Sequence, residues 1–313
     1  MQLLMAMTGK DGTEWLNAVR DAMPGAQVRS WTADDDAAAD YALVWRPDPR
    51  VLKGRHGLKA VFNMGAGADA LLALAKEDPE LVPESLPVFR IEDAGMAGQM
   101  AEYALYAALR HLRRFREYEL QQRVQTWRPL RPRLAQDFNV GILGLGSLGA
   151  EVARRLVGWG FNVRGFSRRE KDIEGVQCFA GDKAFDAFLT DLDVLINLLP
   201  ATSQTHGILE KKCFSKLRRG ALVVNLARGS HLVQDDLLDA VRSGQVGGAM
   251  LDVFSVEPLP SQHPFWSEPA ITLTPHISAV TQVNESAAQV SKKIAMLERG
   301  MTPGGRVDFA LGY

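Results

Sequence analysis

A cation, a carboxylate and an imidazole each stand at or just past the end of an apolar run: Arg228 after ALVVNLA, Glu257 within AMLDVFSVEPLP, and His276 closing TLTPH. Together they can hold an anionic group, orient an imidazole and give a proton to an oxygen that is gaining negative charge. Taken singly, each has a plainer reading as a solvated loop charge or a satisfied imidazole. Their shared placement argues otherwise, because open α/β sheets bind ligands beyond the carboxyl ends of their strands. His56, His111, His206, His231 and His263 lack that placement, and no H-E-x-x-H metal motif occurs.

A second set of residues is suited to a dinucleotide. In NVGILGLGSLGAEVARRLVGWG, the glycines Gly144, Gly146 and Gly149 have G-x-G-x-x-G spacing, with Ser147 and Leu148 between the last two. An apolar run precedes them and a helical pattern carrying Val152 and Leu156 follows. The first glycine permits a tight turn, the second lets a pyrophosphate approach the backbone, and the third lets helix and strand pack closely. The helix N-terminus then faces the anion. About twenty residues further on, an NAD-binding chain normally has Asp or Glu for the ribose 2′-hydroxyl. Here the run FNVRGF ends in Ser167, Arg168 and Arg169. A hydroxyl and two guanidiniums suit a 2′-phosphate that a carboxylate would repel, so the expected cofactor is NADPH, with NADH a weaker alternative.

The elements needed to position these groups are legible on both sides. LLMAM, QVRSW, YALVW, LKAVFNM and PVFRI read as strands alternating with helical patterns, one capped by Thr13 and carrying Leu16, Val19 and Met23 on one face. Met96 to about Arg123 reads as one long helix, followed by the proline-bearing connection QTWRPLRPRLAQDF. NVGIL, FNVRGF, DVLINLL, ALVVNLA, GAMLDVF and AITLTPH are near-continuous apolar runs, as a parallel sheet buried on both faces requires. A last helix is expected to be capped by Asn284, with Val290, Ile294 and Leu297 in register. The fold class is therefore α/β, with two open doubly wound parallel sheets, one of them a Rossmann dinucleotide-binding domain.

Composition narrows the classes of function. The 313 residues include 46% hydrophobic and 23% charged, with a net charge of -1, so no global attraction to nucleic acid or an anionic membrane is expected. Two cysteines, Cys178 and Cys213, are too few for a disulfide framework and fit a reducing cytoplasm. The opening MQLLMAMTGK does not read as a signal peptide, and no run reaches membrane-spanning length.

Taken in order, VGILGLGSLG, INLLPATSQT, NLARGS, AMLDVFSVEPLP and TLTPHIS resemble the D-2-hydroxyacid dehydrogenase family over nearly the whole chain. NMGAGAD, RIEDAGMAGQMAEY and the Ser-Arg-Arg end resemble its glyoxylate- and hydroxypyruvate-reducing branch. The resemblance implies a flavodoxin-like substrate domain over residues 1–100, completed by 283–313, and an NAD(P)-binding domain over 101–282. It implies that Arg228 holds the carboxylate of a small 2-oxo acid, that His276 is the general acid and that Glu257 orients it. It further assigns the amides of Ala66 and Gly67 to the substrate carboxylate, Trp45 to the pocket wall, Leu199 and Pro200 to a loop beside the cofactor, and Asp252 to the neighbourhood of the nicotinamide amide. A homodimer is implied too, with Trp127 in the connecting arm directed to a partner. A non-catalytic NAD(P)H sensor of the same fold, or a dehydrogenase for another 2-hydroxy acid, is the alternative.

Overall fold

The computed structural model describes residues 1–9 and 11–312. The chain divides into two units, Met1–Gly95 with Thr281–Tyr313, and Met96–Val280.

In the first unit, β1 (Gln2–Met7), β2 (Gln27–Ser30), β3 (Tyr41–Trp45), β4 (Ala60–Asn63) and β5 (Val88–Arg90) form a parallel sheet in the order β2-β1-β3-β4-β5. This is the flavodoxin-like order, whose switch point lies between the first and third strands. Leu4, Val44, Val61 and Val88 pack on one face with Leu71 of α2 (Asp69–Glu77). The N-terminal helix α1 (Gly12–Ala22) buries Trp15 and Val19 and packs against the C-terminal helix Val283–Glu298, which buries Val290 and Ile294. The caps differ from expectation. Asp11 rather than Thr13 caps α1, accepting the Thr13 N–H at 2.9 Å, and Gln282 rather than Asn284 precedes the last helix. From that helix the buried Lys293 ammonium donates to the carbonyls of Arg90 (2.8 Å) and Gly304 (2.9 Å) and pairs with Glu92 at 3.3 Å, tying the C-terminal segment to the end of β5.

The second unit carries seven parallel strands: β6 (Asn139–Leu143), β7 (Asn162–Ser167), β8 (Val176–Ala180), β9 (Val194–Asn197), β10 (Ala221–Asn225), β11 (Val246–Leu251) and β12 (Ile271–Leu273). Their order, β12-β11-β10-β9-β6-β7-β8, is the Rossmann order with one added strand. Successive residues point to opposite faces: Leu195 and Val223 enter one apolar core, while Val194, Ile196, Leu222 and Val224 enter the other. That two-sided burial is why these strands read as unbroken apolar runs. The sheet's edge strand β8 has no such run, being only half-buried along most of its length, and sequence patterning passes over it.

The helix expected from Met96 to Arg123 is two helices, α3 (Met96–Leu112) and α4 (Phe115–Arg123). The break is at Arg114, which takes a left-handed φ of 63°. Its physical reason is packing: α3 buries Ala101, Ala104 and Ala108 and lies against α5 (Ser147–Gly158), whereas α4 buries nothing that would hold it in line. Three further helices cover the sheet, α6 (Phe185–Leu189), α7 (Lys211–Lys216) and α8 (Gln234–Arg242). Among the described residues no helix is long and apolar enough to cross a membrane.

Candidate active site

The glycine turn joins β6 to α5. Gly144 has φ 98°, where a side chain is strained, and a Cβ there would meet the Leu198 carbonyl oxygen at 2.7 Å. A Cβ on Gly149 would collide with the Gly144 carbonyl, so the third glycine lets the helix sit on the strand end. Gly146, the residue before α5, faces open space and gives no side-chain cap. The first-turn N–H groups at Ser147, Leu148 and Gly149 therefore form an uncapped, positively polarised helix end that suits a pyrophosphate.

At the end of β7, Ser167 is buried and its hydroxyl donates to the Arg169 carbonyl at 2.6 Å. The hydroxyl proton expected for a 2′-phosphate is thus engaged within the turn, and the exposed guanidiniums of Arg168 and Arg169 supply its charge. No carboxylate occupies the strand end, so the turn fits a phosphorylated ribose.

The proposed acid and its partner are in contact. His276 Nδ1 donates to Glu257 Oε2 at 2.9 Å, while Glu257 Oε1 accepts the Phe254 N–H at 3.0 Å. A carboxylate on Nδ1 leaves Nε2 as the ring atom available to a ligand. Partial burial pushes the Glu257 carboxyl up. The hydrogen bonds from His276 and Phe254, with the charges of His276 and Arg228, outweigh it and hold the group below its ordinary value. Arg228 follows β10, is half-buried, and donates to the Ala227 carbonyl at 2.7 Å.

Asp252, just past β11, has no accessible surface. Its Oδ1 accepts from Thr274 Oγ1 (2.6 Å) and the Ile277 N–H (2.8 Å), and its Oδ2 from the Ser278 N–H (2.8 Å). Its carbonyl accepts the His276 N–H at 2.9 Å. Asp252 thereby fixes the turn in which His276 takes a left-handed φ of 56°, a conformation costing about 1 kcal/mol or more outside glycine. Because Thr274 donates to Asp252, it accepts from Tyr103, whose hydroxyl lies at 2.7 Å.

In the first unit, Trp45 ends β3 and lies against Gly65, where a Cβ would run into its ring. The loop after β4 holds Ala66 and Gly67, both half-buried. Asn63, the buried last residue of β4, donates to the carbonyls of Gly65 and Gly67, each at 2.8 Å. Asn63 thereby fixes the course of this loop from the strand that precedes it.

Leu199 and Pro200 follow β9, and the Pro200 carbonyl accepts from Thr205 Oγ1 at 2.7 Å. Sequence reasoning missed Asn63, Asn197 and Asn225, which close β4, β9 and β10 as buried, hydrogen-bonded amides. Asparagine is a poor strand former, so its recurrence at three strand ends was an available signal. His231 and Tyr103 were missed as well. Among the described residues no three His, Cys, Asp or Glu side chains come together as a metal site.

The model for the NAD binding domain of D-isomer specific 2-hydroxyacid dehydrogenases matches residues 105–278. Glyoxylate/hydroxypyruvate reductase A of Serratia proteamaculans is 52% identical over 300 residues, covering 96% of each chain. A D-isomer specific 2-hydroxyacid dehydrogenase of Xanthobacter autotrophicus, crystallised with NADPH and MES, superposes with a TM-score of 0.93 at 37% identity, over 100% of this chain and 99% of the other. The NADPH-dependent glyoxylate/hydroxypyruvate reductase of Sinorhizobium meliloti, crystallised with NADP and sulfate, gives 0.90 at 35% identity over 100% and 99%.

Proposed function

The chain belongs to the D-isomer specific 2-hydroxyacid dehydrogenase family, and from that premise we propose that it uses NADPH to reduce small 2-oxo acids, glyoxylate to glycolate and hydroxypyruvate to D-glycerate. The observation that carries the reading is the 2.9 Å contact between His276 and Glu257 on a unit that also bears the glycine turn and Arg228. The Serratia and Sinorhizobium relatives, named for glyoxylate and hydroxypyruvate, support the substrates, and the structures crystallised with NADPH or NADP support the cofactor.

Gly144, Gly146, Ser147, Leu148 and Gly149 would receive the pyrophosphate, Arg168 and Arg169 the 2′-phosphate, and Leu199 and Pro200 would flank the cofactor. When bound, NADPH supplies a hydride for the carbonyl carbon. Arg228 holds the acid's carboxylate and polarises its carbonyl. As negative charge grows on the carbonyl oxygen, His276 delivers the Nε2 proton to it, while Glu257 keeps Nδ1–H engaged and offsets the charge on the ring. Asp252, expected beside the nicotinamide amide, has no accessible surface and a carboxylate engaged by Thr274, Ile277 and Ser278, so its part in this step is to hold the His276 turn. Trp45 and the amides of Ala66 and Gly67 are assigned to the substrate in the first unit. Exposed apolar residues on α4 and the following arm, Phe115, Val124 and Trp127 (99% exposed), support a homodimer. The unpaired cysteines suit a reducing cytoplasm.

The direct test is steady-state loss of NADPH absorbance with a panel of 2-oxo acids and with both cofactors. Turnover should be fastest with glyoxylate and hydroxypyruvate, and NADPH should outrun NADH. Absence of turnover with every acid, despite NADPH binding, would replace the enzyme reading with that of a sensor.

A further inference from the structure

β9 and β10 are neighbours in register, with Asn197 opposite Asn225, so two amides meet at adjacent strand ends. Together with His231, in the turn after Arg228, they have no accessible surface. Asn197 Nδ2 donates to Asn225 Oδ1 (3.0 Å) and to His231 Nδ1 (2.8 Å), and His231 Nε2 reaches the Pro200 carbonyl at 3.2 Å. Asn197 Oδ1 accepts the Leu199 N–H (3.2 Å), Asn225 Oδ1 the Ala227 N–H (3.2 Å), and Asn225 Nδ2 donates to the Arg228 carbonyl (2.9 Å).

Backbone groups fix the polarity of this chain. The amide N–H groups of Leu199 and Ala227 require oxygens, and the Arg228 carbonyl requires a donor, so neither asparagine can flip. Asn197 must then donate to His231 Nδ1, which leaves the ring proton on Nε2, pointed at Pro200. The imidazole is neutral and fully engaged, unsuited to proton transfer. Between them the three side chains bind four backbone groups, at Leu199 and Pro200 in one loop and at Ala227 and Arg228 in the other. An apolar trio would bury these positions at lower desolvation cost, but it could not set the two loops against each other.

We propose that Asn197, Asn225 and His231 are positioning residues that register the arginine for the oxo acid against the loop beside the cofactor. This rests on the roles assigned above to Arg228 and to Leu199 and Pro200.

The test uses the full-length enzyme, with glyoxylate KM from kinetics and NADPH Kd from fluorescence titration. His231→Leu should raise both constants by about tenfold, the effect of losing roughly one net hydrogen bond at each loop, while kcat falls less. His231→Gln, whose amide oxygen and nitrogen can replace Nδ1 and Nε2, should return both to within about threefold of wild type by restoring those bonds. Phe188→Leu, in the apolar core, should lower the melting temperature without moving either constant. Should His231→Leu fail to fold, Asn225→Asp decides. It sets an oxygen against the Arg228 carbonyl and should raise glyoxylate KM while sparing NADPH Kd. Wild-type constants in folded His231→Leu or in Asn225→Asp, or equal shifts in Phe188→Leu, would overturn the proposal. Arg228→Gln with an unchanged glyoxylate KM would instead defeat the role of Arg228 itself.

Discussion

Replacing Glu257 with glutamine tests the acid assignment with little change of shape. Oxygen Oε1 can go on accepting from the Phe254 N–H, but Oε2, which receives the His276 Nδ1 proton at 2.9 Å, becomes an NH2 donor facing a donor. The ring must turn its Nδ1 lone pair toward the new amide, and its Nε2 proton then leaves without a carboxylate to balance the charge. A hydrogen bond to a charged group contributes about 1.5–3 kcal/mol when sheltered. The two side chains are 32% and 42% exposed, so solvent screening brings the expected loss to about 1–2 kcal/mol. Converted at 1.4 kcal/mol per factor of ten, kcat/KM for reduction should fall by about 5- to 30-fold. Most of the loss should appear in kcat. On the acid side, the Glu257 carboxyl lies below its ordinary value, so in the wild type the contact is complete above the ordinary carboxylate range. It is lost only as pH falls through the lowered value. A kcat/KM within twofold of wild type would refute the pairing as part of proton delivery.

Alanine at both Arg168 and Arg169 should weaken NADPH binding by about tenfold or more and leave NADH unchanged, as read from titrations at low and high salt; an unchanged cofactor ratio would refute the 2′-phosphate assignment. His276→Ala should cost about a hundred- to ten-thousand-fold in kcat, and normal turnover would remove it as the acid. Asp252→Asn should set an amide NH2 against the N–H groups of the 276–278 turn, lowering kcat more than it raises KM. Leu156→Ala, at a site with no exposure, should cost about 2–5 kcal/mol in denaturant unfolding, a loss that repacking of α5 alone would reduce.

What could be read from the sequence follows from how local each signal is. Strands with both faces buried announce themselves as apolar runs, and the glycine turn needs residues only a few positions apart. The half-buried edge strand β8 has neither signal. The split between α3 and α4 depends on which helix finds a packing partner, and a period of 3.6 continues through Arg114 without a mark. Arg228, Glu257 and His276 could be singled out because strand ends are where ligands bind, and each lies at or just past a recognisable run. Asn197, Asn225 and His231 were not, because their pairing spans 28 to 34 residues and belongs to the register of β9 on β10. The caps at Thr13 and Asn284 each missed by two residues: the Asp11 side chain takes the first turn of α1, and Gln282 precedes the last helix without a side-chain bond.

The first unit is completed by residues from the far end of the chain, while every residue of the Rossmann unit lies between them. During synthesis, the N-terminal strands leave the ribosome long before the helix that covers α1, and the enclosed unit has all its parts first. Vectorial folding, which usually runs from the N-terminus, is inverted here. The earliest-made strands are therefore the last to gain the helix that packs on α1.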